Sequence, residues 1–210
     1  MIFEQLVLGP FVNNIYILGD EASKEGVIID ASFLPEKIVA RVKELGLNIR
    51  TILLTHGHID HIAGAATVKE GTGAEIAICE KDTWLYEHVG EQGRKFGLAA
   101  RKLPDPDRFL KDGDEVKFGS HRFKIVETPG HSPGSVCFRG ELDGRPVVFT
   151  GDTLFCGSIG RTDLWGGDHG EILRSIRGKL YSLDSGSLVL PGHGEETTIV
   201  NETAQNPFTQ

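Results

Sequence analysis

Short apolar runs rich in β-branched residues and bounded by turn residues recur along the first half of the chain, at Ile15 to Leu18, Val27 to Ile29 and Ile52 to Leu54. This pattern predicts buried strands. Between the second and third runs, Ile38, Val42 and Leu45 recur at helical spacing within Pro35 to Leu45, with Pro at the start and Gly46 past the end. An amphipathic helix is predicted there. Further helices are predicted around Ile62 to Glu70 and Lys81 to Val89, with a strand at Ile76 to Cys79 between them. The second half opens on a predicted hairpin, Val116 to Phe118 and Phe123 to Val126 around Gly119-Ser120. Strands at Val136 to Phe138 and Val147 to Thr150 flank an Asp143-Gly144 turn, and a helix at Glu171 to Leu180 precedes a strand at Leu188 to Leu190. The stretch from Gly90 to Arg108 has no clean period and reads as a long ordered loop or irregular helix.

Glycine is the one unusual component, 27 of 210 residues, about 13% against a typical ~7%, which fits a chain with many tight turns. The formal charge of −8 argues against a sequence-independent grip on nucleic acid, which needs Lys and Arg on phosphates. Cys79, Cys137 and Cys156 are odd in number and share no C-x-x-C spacing, so a disulfide framework or thiolate metal site is not expected and a reducing, cytoplasmic setting is. No targeting segment and no membrane span are expected.

Chemistry concentrates where strands end. Thr55-His56-Gly57-His58-Ile59-Asp60-His61 places three histidines and a carboxylate in six positions directly after a predicted strand. Imidazole and carboxylate are donors that borderline metal ions prefer, and such a cluster packed without a cation would repel or stay unsatisfied. Three more strands end in Gly-flanked donors: Thr128-Pro129-Gly130-His131, Thr150-Gly151-Asp152 and Pro191-Gly192-His193-Gly194. Seven donors exceed the roughly three plus a water that one catalytic zinc uses. Two ions sharing a carboxylate accommodate them, His56, His58 and His131 on one, Asp60, His61 and His193 on the other, with Asp152 bridging.

With these residues the sequence resembles the metallo-β-lactamase superfamily, whose histidine-aspartate-histidine signature matches His56 to His61, and the resemblance covers nearly the whole chain. Gly151 to Phe155, Gly157 to Asp163, Gly167-Asp168-His169 and Pro191 to Gly194 followed by Asn206-Pro207-Phe208 are similar to the short glyoxalase II-like hydrolases of that superfamily. The resemblance implies an α+β fold, a four-layer αβ/βα sandwich with metals at the edge between two sheets. It implies one domain over 1–210, with pseudo-halves of about 1–110 and 111–210. Glyoxalase II proper carries a further C-terminal helical region that makes much of its glutathione contact; none is expected in this chain, which ends at Gln210.

The expected activity is hydrolysis of a thioester, S-lactoylglutathione or a relative, by a metal-held hydroxide that Asp60 positions. The expected cofactors are two divalent ions, zinc first, with iron or manganese accepted by the same donors. Because Gly160-Arg161-Thr162-Asp163 is also similar to the superfamily's persulfide dioxygenases, a mononuclear iron enzyme using His56, His131 and Asp152 is the alternative. A metal-binding protein without turnover is the third. Asp30, ending a strand, is a candidate to orient a ligating histidine or, equally, a turn residue. Arg94, Lys95, Arg101 and Lys102 are candidates for an anionic substrate or a solvated basic loop. Arg161 either contacts substrate or pairs with Asp163.

Overall fold

In the computed structural model, which describes residues 1–210, the chain divides into two units, Met1–Leu110 with Lys117–His121, and Lys111–Val116 with Arg122–Gln210. The first carries six strands hydrogen-bonded in chain order: β1 (Ile2–Leu8), β2 (Asn13–Gly19), β3 (Glu25–Ile29), β4 (Asn48–Leu53), β5 (Glu75–Cys79) and β6 (Arg108–Leu110). β1 to β3 are antiparallel and β3 to β6 parallel. Parallel neighbours need crossover connections, and the helices supply them: α1 (Pro35–Leu45) joins β3 to β4, and α2 (Ile59–Ile62) with α3 (Ala65–Thr72) joins β4 to β5. α1 buries Ile38 and Val42 and ends at Gly46, whose φ of 66° is the left-handed cap glycine provides. Ile28, Ile38, Ile52, Ile62 and Ile76 belong to one buried cluster, each such side chain contributing roughly 1.5–3 kcal/mol on leaving water.

The single helix expected from Ile62 to Glu70 is two, α2 and α3, because the chain turns at Gly64. A Cβ there would lie 2.2 Å from the Ser32 carbonyl oxygen. The helix expected from Lys81 to Val89 is also broken: a 3-10 turn at Glu80–Asp82 leads into α4 (Thr83–Glu87), and α5 (Val89–Lys95) begins after a non-helical His88. α5 thus occupies the start of the stretch that shows no sequence period. β1 escapes an apolar-run search because its exposed positions include Phe3 and Val7 while Glu4 is half-buried.

The other large sheet is ordered β14-β13-β10-β9-β8-β7, where β7 is Glu115–Phe118, β8 His121–Glu127, β9 Val136–Leu142, β10 Arg145–Gly151, β13 Leu188–Pro191 and β14 Thr197–Thr198. β11 (Leu154–Phe155) and β12 (Ser158–Ile159) form a small ribbon. Asp143 and Gly144, both at positive φ, close the β9–β10 hairpin, as a two-residue turn requires. α6 (His169–Ser175) continues through wider π-type turns at Ile176–Leu180 and packs Ile172, Ile176 and Leu180 with Cys137, Val148 and Val189. α7 (Ile199–Gln205) buries only Ile199 and Glu202, too little apolar periodicity to be read from sequence. No helix is long and apolar enough to cross a membrane.

Candidate functional site

In the first unit the parallel strands β3 and β4 both end at the donor loop, the edge where ligands bind in open α/β sheets. Asp30 follows β3 with φ 62°, a left-handed conformation that Asp tolerates. Its carboxylate accepts the Thr55 N–H at 2.8 Å, lies 2.9–3.1 Å from the Thr55 hydroxyl and accepts the His61 Nδ1–H at 2.7 Å. With Nδ1 holding the proton, His61 turns the lone pair of Nε2 toward Asp60. His56 Nδ1 lies 3.0 Å from the Thr55 hydroxyl oxygen, so a proton chain from His56 through Thr55 to Asp30 sets that imidazole in the same sense.

His56, His58 and His61 are buried, and the Asp60 side chain is nearly so. Donor atoms of His56 and His58, of His56 and His61, and of Asp60 and His61 lie within 4.8 Å of each other. The Asn13 amide donates to Asp60 Oδ2 at 3.2 Å and sits 3.1 Å from His61 Nε2. Asp82 accepts the Gly57 N–H at 2.7 Å. Gln92 accepts the Ile59 N–H at 3.0 Å and donates to the Gly57 carbonyl at 2.9 Å and the Leu85 carbonyl at 2.8 Å. Asn13, Asp82 and Gln92 have no sequence signature, since each reaches the loop from more than twenty residues away.

In the second unit, pairing of Gly151 with Pro191 across the parallel strands β10 and β13 sets Asp152 beside His193. His193 Nε2 lies 3.5 Å from Asp152 Oδ2, and His131 Nε2 lies 3.6 Å from the same oxygen. His131 donates its Nδ1–H to the Arg161 carbonyl at 2.7 Å, which leaves Nε2 as its donor nitrogen. The chain can reach that carbonyl only through Gly160: a Cβ there would stand 1.8 Å from the Asp152 carbonyl oxygen and 3.1 Å from His131 Nδ1.

The donor set fits divalent ions in chemistry and in spacing. Three imidazole–carboxylate separations, His61–Asp60, His131–Asp152 and His193–Asp152, are 3.5–3.6 Å, too long for charge-assisted hydrogen bonds of about 2.7–2.9 Å. Two ligand atoms about 2.1 Å from one tetrahedral ion stand about 3.4 Å apart. Each unit therefore holds donors spaced as neighbours on an ion.

The cationic candidates divide. Arg94 and Lys95 are exposed on the last turn of α5. Arg101 makes a bidentate pair with Glu70, and Lys102 is exposed. Arg161 makes a bidentate pair with Asp163 at 2.7 Å, which holds the Asp163 carboxyl down at about 2. His88 stacks on Trp84, His121 lies 3.3 Å from Asp20, and Asp168 caps α6 ahead of His169. Burial pushes the Cys137 thiol up to about 11, while Cys156 is exposed.

The family model of the metallo-beta-lactamase superfamily matches residues 8–193, and the chain belongs to that family. It is a metallohydrolase with the family's α+β sandwich fold. It is 40% identical over 210 residues to the hydroxyacylglutathione hydrolase GloC of Haemophilus influenzae, covering 99% of this chain and 98% of that one. Among solved structures it resembles the BLEG-1 B3 metallo-beta-lactamase, with 36% identity, a TM-score of 0.91 and full coverage of both chains. It also resembles TTHA1623 in a di-iron-bound form, with 38% identity, a TM-score of 0.88 and coverage of 98% and 99%.

Proposed function

We propose that the protein is a cytoplasmic thioester hydrolase of the glyoxalase II kind, acting on S-lactoylglutathione or a related acyl thioester. The observation that carries this reading is the 40% identity to GloC across almost the whole of both chains. In this reading His56, His58 and His131 would hold one ion and Asp60, His61 and His193 a second, with Asp152 shared. Zinc is the first assignment; similarity to TTHA1623 in its di-iron form supports iron as the rival, and manganese accepts the same donors.

Ions bound there lower the pKa of a coordinated water toward neutrality and polarise a carbonyl oxygen. The side chains do the rest. Asp60, fixed by the Asn13 amide, accepts a hydrogen bond from the attacking water and aims it at the thioester carbon. Asp30 keeps a proton on Nδ1 of His61, so that Nε2 stays a donor throughout. The departing thiol has an ordinary pKa of about 8.5 and leaves as thiolate with little protonation, so no general acid is required, as one would be for an amide.

Metal analysis coupled to an assay of S-lactoylglutathione hydrolysis tests the reading. Two ions per chain and hydrolysis abolished by chelation are expected. Full activity in metal-free protein overturns it, as does one iron per chain with oxygen consumed on glutathione persulfide.

A further inference from the structure

We propose that an apolar rim on the first unit selects thioesters whose acyl group is aromatic or branched and apolar, carried on an anionic thiol. The reaction rests on the hydrolase reading above; the selectivity rests on the surface itself. Val12, Leu34 and Phe96 are exposed at 59%, 47% and 48%, and Phe11 and Phe33 are half-buried. These five residues come from three segments, the β1–β2 turn, the β3–α1 loop and the end of α5, and the rings of Phe11, Phe33 and Phe96 bring the three segments together. The Phe11 ring meets Phe96 edge-on at 5.4 Å and Phe33 at 6.3 Å. Gly9, in the same turn as Phe11, packs so closely that a Cβ on it would lie 3.1 Å from the Phe33 Cβ. Contiguous apolar surface of this kind marks a binding face. Val12 and Leu34 are also held at φ 59° and 60°, a region that β-branched and bulky residues avoid and that recurs at ligand clamps.

Each rim segment is tied to the donor loop by a residue beside the rim. Asn13, next to Val12, donates to Asp60. Ala31, two residues before Phe33, donates its N–H to the His61 carbonyl at 2.8 Å and accepts the Gly64 N–H at 2.7 Å. Gln92, one helical turn before Phe96, holds Gly57 and Ile59. The three segments that carry the rim therefore border the loop that carries His56 to His61. None of its five side chains can hydrogen-bond, so a hydroxylated acyl group gains nothing there, whereas an apolar one leaves water. Arg94 and Lys95, exposed immediately before Phe96, add positive charge at one edge, complementary to carboxylates or phosphates on the thiol carrier.

The test compares kcat and KM for the phenylacetyl and lactoyl thioesters of glutathione, using metal-loaded wild type, Phe96→Ala and Leu34→Ser, alongside calorimetry with phenylacetate and lactate. Both substituted positions are exposed enough to leave the core intact. The expected wild-type preference for phenylacetyl is about tenfold or more and lies in KM, and each variant moves the ratio toward one. Equal use of the two thioesters by wild type, or an unchanged ratio in both variants, overturns the proposal while leaving the hydrolase reading in place. If no thioester is hydrolysed, that reading falls and calorimetry decides the rim alone. Phenylacetate bound more tightly than lactate, with the difference lost in Phe96→Ala, sustains it, and equal binding of the two acids overturns it.

Discussion

Asp30→Asn separates the proton-holding role of this carboxylate from its place in the fold. In the native chain Asp30 Oδ2 accepts the His61 Nδ1–H at 2.7 Å, and Oδ1 accepts the Thr55 N–H at 2.8 Å. Asparagine tolerates the positive φ of this position and can still accept from Thr55 through its amide oxygen. Its amide N–H groups then face His61 and drive the ring proton to Nε2, the nitrogen 3.5 Å from Asp60. That tautomer cannot donate to an ion at the proposed position. Loss of such an orienting partner typically costs 10- to 100-fold in metal affinity, about 1.4–2.7 kcal/mol. The assay is competition with a chromogenic chelator on metal-stripped protein, paired with ion counting and with circular dichroism to show that the variant is folded. A folded Asp30→Asn protein whose affinity for every bound ion stays within about twofold of wild type refutes the reasoning.

Three further outcomes follow from the same geometry. Asp82→Ala removes the carboxylate that holds the Gly57 N–H and should cost about 1.5–3 kcal/mol of stability in urea unfolding; a change below about 0.5 kcal/mol would show that Gln92 alone secures the loop. Gly160→Ala forces a Cβ against the Asp152 carbonyl, so the folded variant should retain fewer ions per chain, and full metal content contradicts the account of His131 orientation. Because Arg161 depresses the Asp163 carboxyl, the pair's small contribution is intact above the unfolded pKa of 3.8 and disappears as pH falls through about 2. In Arg161→Ala a carboxyl carbon NMR titration should return Asp163 toward 3.8, and an unmoved value near 2 would sink the attribution.

The donors are legible because each group of them follows an apolar run and contains or adjoins a glycine, a local pattern that needs no partner to be seen. The same locality makes β2, β3, β4 and α1 readable, since each announces itself by its own apolar period. What holds the donors is not local. Asp82 and Gln92 reach Gly57 from a broken helical stretch whose periodicity is lost at His88, and Asn13 acts from the strand beyond a turn. α7 is missed because Glu202, buried against Thr197, Asn206 and Gly157, stands where a helix normally shows an apolar residue. Arg161 illustrates a third limit: the sequence places it beside both a donor loop and Asp163, and only the bidentate geometry shows which partner it takes.

The central claim is the proposed assignment of seven side chains to two ions. Native mass spectrometry of the metal-loaded protein, compared with His58→Ala and His193→Ala, tests it most directly. The account predicts two ions on wild type and one on each variant, with the ion lost from a different site in each case. A single ion on wild type, or two ions retained by both variants, contradicts it.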